Sequence, residues 1–235
     1  MTARQGRLHR LSDDVIYYIK IAIYIIVLIC YFPANSGSFE DFFAAIRADD
    51  PATVSRLLRL GFDPNTRDAA GQHPLHLAVR EKSVQSAAVL IAWKPTDVEP
   101  RTVSDESPLM LAALQGMRDT AARLIDRGAD VNKPGWTPLH YAATNGHVAL
   151  IRLLLEHHAY IDAASPNAST PLMMAAFYGS PAAVKLLLEC GADPMLQNDQ
   201  GLSALDFANR NSRVDAVALI AAFVRDGKPA PGCLG

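Results

Sequence analysis

One seven-residue phrase recurs along the chain at nearly constant intervals, and no other feature constrains the fold as strongly. The phrase occurs as HPLHLAV (73–79), SPLMLAA (107–113), TPLHYAA (137–143), TPLMMAA (170–176) and SALDFAN (203–209). Its second residue recurs at spacings of 34, 30, 33 and 33 residues. A fixed period of about 20 to 50 residues is typical of repeat architectures, in which each unit buries its apolar face against its neighbours. The sequence therefore predicts a stack of similar units.

A second, apolar phrase follows each of the last four copies and also precedes the first. It occurs as SRLLRLGFDPN (55–65), ARLIDRGADVN (122–132), IRLLLEHHAYID (151–162), VKLLLECGADPM (184–195) and VALIAAFV (217–224). In the third unit the apolar residues from Val148 to Leu155 have the spacing of a buried helix face. Each unit is therefore expected to hold a second helix.

The first phrase has the start and end features of a short helix, as its third copy illustrates. Thr137 is a good N-cap, since its hydroxyl can accept a hydrogen bond from the first helical N–H groups. Pro138 suits the first helical position, where its missing N–H costs nothing. Gly146 follows the helix with a residue that tolerates positive φ. Two helices this short are marginal in water, so each unit needs its neighbours.

Repeats of about 33 residues that combine TPLHYAATNGH with an LLL and GAD phrase resemble ankyrin repeats, and the resemblance covers residues 39–224. It implies an all-α solenoid of stacked helix pairs with short β-hairpin loops, made of about five repeats and an N-terminal capping half-repeat. We accordingly divide the chain into an N-terminal segment (1–38), a repeat domain (39–225) and a tail (226–235) expected to be disordered. The resemblance further implies a monomeric module that binds another protein and has no enzymatic activity and no cofactor.

Three departures from the repeat pattern carry information. Segment 92–104 replaces the glycine-alanine-aspartate turn of the other units, so its hairpin is expected to be remodelled or lost. The third unit is three residues shorter in its loop than its neighbours, which predicts a stubby loop with Trp136 at its tip. His158 stands where other units have Gly128 and Gly191, at a site that usually requires positive φ, which His reaches with less penalty than most residues.

The charge balance argues against nucleic acid as a partner. The chain has 22 Lys and Arg residues and 24 Asp and Glu residues, and 18 and 22 of these follow residue 38. A phosphate-binding surface needs a surplus of Lys and Arg. The sequence also contains no GxSxG elbow, no HExxH motif and no glycine-rich phosphate loop. We therefore predict that the chain is not an enzyme.

Three histidines have a structural interpretation. His76 and His140 occupy the fourth position of the first phrase, where the resemblance to ankyrin repeats implies hydrogen bonds to neighbouring backbone. His147 occupies the histidine position of the family's GH pair and is interpreted in the same way.

A cluster of His157, His158 and Cys190 leaves one alternative function open, a metal- or redox-linked envelope protein. His157 and Cys190 occupy equivalent positions of adjacent units, so we expect them about 8–10 Å apart, one helix spacing. That is too far for two ligands of one zinc ion, and we assign no metal site. The sequence leaves open whether Cys190 and Cys233 form a disulfide.

The resemblance also indicates where a partner binds, namely the loop tips and the ends of the first helices. Large aromatic side chains at positions that a solvated surface fills with polar residues are the usual anchors of interfaces. The predicted partner-binding residues are Arg80, Glu81, Leu114, Gln115, Trp136, Thr144, Asn145, Phe177 and Tyr178. Further positions of the same kind are Gln72, Glu106, Ser169, Leu202 and Arg210. In the alternative interpretation, Phe177 and Tyr178 pack on each other and on Trp136.

An apolar segment precedes the repeats. Its uninterrupted run, residues 21–32, is 12 residues long, which suits the core of a signal peptide better than a bilayer span. Counting residues 15–32 gives 18 only if Lys20 snorkels to the membrane surface. Basic residues precede the run and acidic ones follow it, which orients the repeats away from the cytoplasm.

We therefore expect export to the periplasm with cleavage near residues 36–38, where small residues stand at suitable positions. The alternative is a single-pass anchor in the cytoplasmic membrane, through residues 15–32, with the repeats facing the periplasm. A further possibility is that the segment forms an extra capping helix. With export, the resemblance narrows to exported bacterial ankyrin-repeat proteins, which bind their partner through hairpin tips and a concave helix face.

Overall fold

The computed structural model describes residues 38–226 together with Tyr17, Tyr18, Lys20 and Ile21. The chain divides into two compact units, Met1–Ala44 and Ala45–Gly235. Most of the predicted signal or anchor segment and most of the predicted tail lie outside the described residues, so their roles stay predictions. None of the helices that the structure describes is long and apolar enough to cross a bilayer.

Residues 38–226 form helices joined by turns and loops, and this part of the chain contains no β-strand. The helices are α1 (residues 38–47), α2 (Pro51–Arg59), α3 (Pro74–Arg80), α4 (Val84–Ala92), α5 (Pro108–Gln115), α6 (Arg118–Asp126), α7 (Pro138–Thr144), α8 (Val148–Glu156), α9 (Pro171–Phe177), α10 (Pro181–Glu189), α11 (Ala204–Arg210) and α12 (Val214–Asp226). The predicted N-terminal half-repeat therefore contains two helices, α1 and α2, where the sequence predicts only the second helix and its loop.

Helices α2 to α12, which belong to the compact unit Ala45–Gly235, stack in two rows. The odd-numbered helices α3 to α11 contact one another in succession and form the first-helix row. The even-numbered helices α2 to α12 form the second-helix row in the same way. The loops are closed by single backbone hydrogen bonds, such as that from Asp68 N to Gln72 O at 2.9 Å. The predicted all-α solenoid is confirmed, with turns where hairpin strands are expected.

The first helices begin as their sequence predicts, with proline at the first position of α3, α5, α7 and α9. The hydroxyls of Ser107, Thr170 and Ser203 accept a hydrogen bond from the backbone N–H three residues later, at 3.2, 3.3 and 3.4 Å. At Thr137 the hydroxyl lies 2.9 Å from Nδ1 of His140, so this cap is shared with an imidazole.

The core lies between the two rows and is built from small and branched apolar residues. Leu139 and Ala142 of α7 and Ile151 of α8 are fully buried. The first helices approach one another closely: a Cβ atom added at Gly179, which follows α9, would lie only 2.4 Å from the carbonyl oxygen of Ala143 in α7. Such close packing explains why every copy of the phrase has an alanine at its sixth position.

A ladder of side chains joins the loops of successive units. The ladder bonds run from Asp97 N to Asn65 Oδ1 at 2.8 Å, from Asp130 N to Glu99 Oε1 at 2.9 Å, from Tyr160 N to Asn132 Oδ1 at 2.8 Å and from Asp193 N to Asp162 Oδ1 at 3.1 Å. Asp97 and Glu99 therefore stand where the next unit has Asp130 and Asn132, after one extra residue. Segment 92–104 is remodelled and not lost.

Arg127 supports the remodelled segment from the next unit. Its guanidinium donates to Ile91 O, to Lys94 O at 3.2 Å and to Thr96 O at 3.3 Å. These carbonyls belong to the end of α4 and the turn after it, where a helix leaves its last C=O groups without intrahelical partners. Arg127, which follows α6, thus provides hydrogen-bond donors to the carbonyls at the end of α4, where the other units have a glycine-containing turn.

Candidate partner-binding site

The ends of the first helices bring most of the predicted partner-binding residues into one line, which we call the helix-end row. The row consists of Arg80, Glu81, Leu114, Gln115, Thr144, Asn145, Phe177 and Tyr178. These residues occupy equivalent positions of α3, α5, α7 and α9, which contact one another in succession. Arg80, Glu81, Asn145 and Tyr178 are exposed, and the other four are half-buried.

The C-terminal part of the helix-end row is aromatic. The ring centroid of Phe177 lies 4.4 Å from that of Tyr178 and 5.9 Å from that of Phe207 in α11. Phe177 is half-buried, whereas the Tyr178 side chain is 56% exposed. Packing therefore holds Phe177 in place, and the pair still presents an aromatic surface to solvent.

Trp136 belongs to a different contact. Its ring centroid lies 5.2 Å from that of His140, edge-on, and the side chain is half-buried. Among the ring contacts of residues 38–226, Phe177 pairs with Tyr178 and Phe207 and not with Trp136. The contact with Trp136 that the alternative interpretation expects is therefore not found among these ring contacts, while Phe177 and Tyr178 do pack on each other.

The short loop that carries Trp136 is held by a buried cation. The Lys133 side chain is almost fully buried, pairs with the Asp105 carboxylate and donates to Asp105 O at 3.2 Å. Lys133 thereby fixes the third unit's loop against the tip of the preceding one.

The middle of the helix-end row is polar and takes part in the stack. The amide of Asn145 donates to Leu114 O at 2.7 Å, and the Thr144 hydroxyl donates to His140 O at 2.8 Å. Asn211 repeats the Asn145 bond two helix pairs further on, to Phe177 O at 2.5 Å. Substituting Asn145 would therefore disturb the stack as well as the surface.

The N-terminal part of the helix-end row is charged. Arg80 donates to Gln72 Oε1 at 2.5 Å, and its guanidinium lies 3.6 Å from the Glu81 carboxylate. An exposed ion pair of this kind contributes only about 0–1 kcal/mol to stability. Both side chains are consequently available to a partner at little cost to the fold.

A second row of apolar residues was missed by the sequence analysis. It consists of Leu111, Tyr141, Met174 and Phe207, which are all half-buried at the fifth position of the first phrase. Each of the first three lies one helical turn before a member of the helix-end row, so the two rows share one helix face. In three of these four copies, a large apolar side chain at the fifth position is followed by two alanines. That pattern was the signal in the sequence from which this row could have been found.

One loop-tip position does not face outward. Ser169 is 1% exposed, and its carbonyl oxygen accepts from Nε2 of His140 at 2.9 Å. The prediction that its side chain faces a partner is wrong, because the loop docks on the preceding unit. The equivalent residues Gln72, Glu106 and Leu202 are half-buried.

The structural interpretation of the histidines is confirmed. The bonds join Nε2 of His76 to Glu106 O at 3.0 Å, Nε2 of His140 to Ser169 O at 2.9 Å and Nε2 of His147 to Leu114 O at 3.1 Å. Burial lowers the pKa of His140 to about 4 and that of His73 also to about 4. Both imidazoles are therefore neutral near pH 7 and serve the stack as hydrogen-bonding groups.

The cluster of His157, His158 and Cys190 does not form a ligand set. The part of the chain that the structure describes holds no group of three or more His, Cys, Asp or Glu placed to bind a metal ion. His158 has a φ of 62°, as its glycine-like position predicts. Cys190 takes part in a disulfide, which removes the thiolate that a zinc site needs. Cys233 and Cys30 lie outside the described residues, so the Cys190–Cys233 pairing stays a prediction.

Comparison with known proteins agrees with this geometry. The family model described as ankyrin repeats in three copies matches residues 42–134, 90–167, 109–198 and 161–226. The chain is 29% identical over 172 residues to the B-cell lymphoma 3 protein homolog of Mus musculus, a match that covers 70% of this chain and 38% of that protein. The chain thus spans about two fifths of the length of that relative.

Two solved structures are similar over most of their length. One is a chain in the complex of the Bd0816 predatory endopeptidase from Bdellovibrio bacteriovorus with immunity protein Bd3460, at a TM-score of 0.67 and 28% identity. The other is an ankyrin repeat domain, ABAYE2397, from Acinetobacter baumannii AYE, at a TM-score of 0.67 and 25% identity. Each match covers 77% of this chain and 96% of the solved one. The repeated phrases, the two rows of helices and the matches over residues 42–226 together show that the chain belongs to the ankyrin-repeat family.

Proposed function

We propose that this chain is a non-catalytic protein-binding module presented on the outer side of the cytoplasmic membrane. Ankyrin-repeat proteins bind partners on extended surfaces that the stacked units create. The observation that carries the proposal is the helix-end row, in which Phe177 is held by Phe207 while Tyr178 stays 56% exposed. Aromatic anchors that are fixed before binding lose little conformational freedom when a partner covers them.

The proposed location rests on the N-terminal segment and on one cysteine. Basic residues before the apolar run and acidic ones after it favour export of the repeats. Cys190 takes part in a disulfide, and disulfides persist mainly in oxidising compartments such as the periplasm.

Fractionation of expressing cells, followed by N-terminal sequencing of the protein, tests the location. A periplasmic form that begins near residues 36–38 supports cleavage, and an intact form in the cytoplasmic membrane supports the anchor. Recovery of the intact chain from the cytosol would contradict both.

The binding surface is tested by crosslinked pull-down from the compartment that fractionation identifies. Tyr178→Ala and Trp136→Ala are expected to lose partner capture while keeping the parent's melting temperature, because neither side chain is fully buried. Tyr160→Ala is the control, since Tyr160 is an exposed tyrosine, at 67% against 56% for Tyr178, but follows α8 and is not a member of the helix-end row. Capture that survives both substitutions, or that Tyr160→Ala abolishes equally, would show that the partner binds elsewhere.

A second candidate is an immunity-type role, in which the module blocks an envelope enzyme. It is favoured by the similarity, at 28% identity and 96% coverage, to a chain in a complex of an endopeptidase with an immunity protein. We expect the purified chain to inhibit substrate hydrolysis by endopeptidases from its own envelope, and Tyr178→Ala to relieve the inhibition. Unchanged hydrolysis at saturating chain would exclude this role and leave the binding module standing.

A further inference from the structure

A cleft of about 510 Å³ opens between the loops of the first two full repeats. One wall is the loop from Arg67 to His73, and the other is the loop from Arg101 to Glu106, with His76 between them. The volume lies within the range of about 300–1,000 Å³ that is usual for ligand sites. No member of the helix-end row lines this inter-loop cleft, so it is a separate feature of the surface.

Two arginines bring positive charge to the inter-loop cleft. Arg101 is already paired, since its guanidinium lies 2.7 Å from the Glu99 carboxylate. Arg67 donates to Gly71 O at 2.9 Å, which holds its side chain along the wall. Within residues 38–226, Arg67 forms no ion pair with a carboxylate, and the side chain is exposed.

The carboxylates around the cleft have partners of their own. Asp68 lies 3.6 Å from the guanidinium of Arg47, and Asp105 pairs with Lys133. Glu106 accepts a hydrogen bond from the Tyr141 hydroxyl at 3.0 Å. None of these contacts involves Arg67, and the Tyr141 hydroxyl, being neutral, leaves the charge of Glu106 in place.

The electrostatic surroundings of His76 contain charges of both signs. Burial lowers the pKa of His76 first, the hydrogen bond to Glu106 O and the charge of the Glu106 carboxylate oppose the shift, and Arg67 and Arg101 lower it further. The neutral imidazole adds no positive charge near pH 7, so the attraction for an anion comes mainly from Arg67, since Arg101 is paired with Glu99.

The rim of the cleft adds an apolar contact. Val103 lies at the tip of the second loop and is fully exposed. A ligand that suits this site carries a negative group for the arginines and an apolar neighbour for Val103. An extended peptide meets both requirements.

We propose that the inter-loop cleft binds a carboxylate of an extended peptide, from a Glu or Asp side chain or from a C-terminus, between Arg67 and Arg101. Arginine is suited to this role because its planar guanidinium binds a carboxylate through two parallel hydrogen bonds. The proposal rests on the protein-binding function proposed above and adds the chemistry that the partner's segment must carry.

The test is a titration of the ¹⁵N-labelled full chain with three peptides, followed by NMR. The peptides are acetyl-Ala-Val-Glu-Ala amide, acetyl-Ala-Val-Gln-Ala with a free C-terminus, and acetyl-Ala-Val-Gln-Ala amide, which has no carboxylate. We expect amide shifts in residues 67–73 and 101–106 with one or both of the first two peptides, and the stronger of them identifies the source of the carboxylate. Equal shifts with all three peptides, or none in these loops, would overturn the proposal.

Substitution of the unpaired arginine provides the second measurement. Arg67→Gln is expected to weaken binding of the acidic peptide by about tenfold or more, since hydrogen bonds to charged groups are the stronger ones. Arg123→Gln, which changes an exposed arginine of α6, should leave the affinity unchanged. Equal affinities of Arg67→Gln and the parent would contradict the assignment.

The two proposals fail in different ways. If no peptide binds but the parent chain still captures a partner that Tyr178→Ala loses, the module binds proteins and the inter-loop cleft plays no part. If the parent captures nothing, the protein-binding function fails, whatever the peptide titration shows.

Discussion

His140 joins two neighbouring units through a single imidazole ring. Its Nδ1 accepts from Thr137 N at 3.2 Å, and its Nε2 donates to Ser169 O at 2.9 Å. The side chain is fully buried, and the ring of Trp136 covers it edge-on. Protonation would remove the acceptor at Nδ1 and place a charge in the core, which is why burial lowers the pKa to about 4.

This titration makes the stack sensitive to acid. The pKa of His140 is about 4 in the folded chain and about 6.5 in the unfolded chain, so between these values the unfolded chain binds more protons. The free energy of unfolding is therefore expected to fall between pH 6.5 and pH 4, by roughly 2 kcal/mol per such histidine at pH 5. Below pH 4 His140 causes almost no further loss in the free energy of unfolding, because it is protonated in both the folded and the unfolded chain.

Urea denaturation at pH 7 and at pH 5 measures the effect. His140→Gln should show a smaller loss of stability between the two values than the parent, while His73, whose pKa is also about 4, still contributes in both. Identical losses in the two proteins would mean that His140 does not titrate as stated.

Among the elements, the loop between α4 and α5 shows how the stack tolerates an irregular unit. Asp97 accepts from Glu99 N at 2.9 Å, as Asp130 accepts from Asn132 N at 2.8 Å in the next unit. The ladder thus keeps its geometry although Glu99 replaces an asparagine. The extra residue is absorbed upstream, where Arg127 binds the carbonyls that the α4 end exposes.

Removing Arg127 should loosen this element in particular. We expect Arg127→Met to lower the free energy of unfolding by about 1–3 kcal/mol, because several carbonyls at the end of α4 lose a charged donor. Amides of residues 92–99 should exchange faster in hydrogen-exchange mass spectrometry. Arg123→Met, an exposed position of the same helix, serves as the control and should change little. Equal protection in both variants would show that Arg127 is dispensable.

On the scale of the whole molecule, the main helix contacts within residues 45–226 join helices of one pair or of consecutive pairs. Stability in such a stack is close to a sum of unit terms and interface terms, and the ends can open alone. Leu154 in α8 and Ile220 in α12 are both fully buried, but α12 is the last helix that the structure describes and packs against α10 and α11.

The two positions should therefore respond differently to truncation. Leu154→Ala is expected to lower the free energy of unfolding of the stack by about 2–5 kcal/mol. Ile220→Ala should mainly speed hydrogen exchange in α11 and α12 and leave α5 to α8 protected. A uniform loss of protection in both variants would indicate that the stack unfolds as one unit and has no separable end.

Much of the fold could be predicted from particular residues. The Thr/Ser-Pro-Leu starts and the glycine-like site of His158 follow from local or periodic patterns, and the backbone bonds of His76, His140 and His147 were implied by the resemblance to ankyrin repeats. The helix-end row was predictable for the same reason, since equivalent positions of a repeat lie side by side. The apolar row of Leu111 and Tyr141 was missed because partial exposure depends on how far neighbouring helices cover a residue.

The sequence by itself determined the repeat length, the helix pair in each unit and the family, because these depend on short-range propensities that recur every 33 residues or so. Tertiary structure alone decided the burial of Ser169, the contact of Trp136 with His140 and the support that Arg127 and Lys133 give to neighbouring loops. These contacts join residues in adjacent units, for example 28 positions apart for Lys133 and Asp105. Their partners depend on the distance between two loops, and that distance is set by the packing of the helices beneath them.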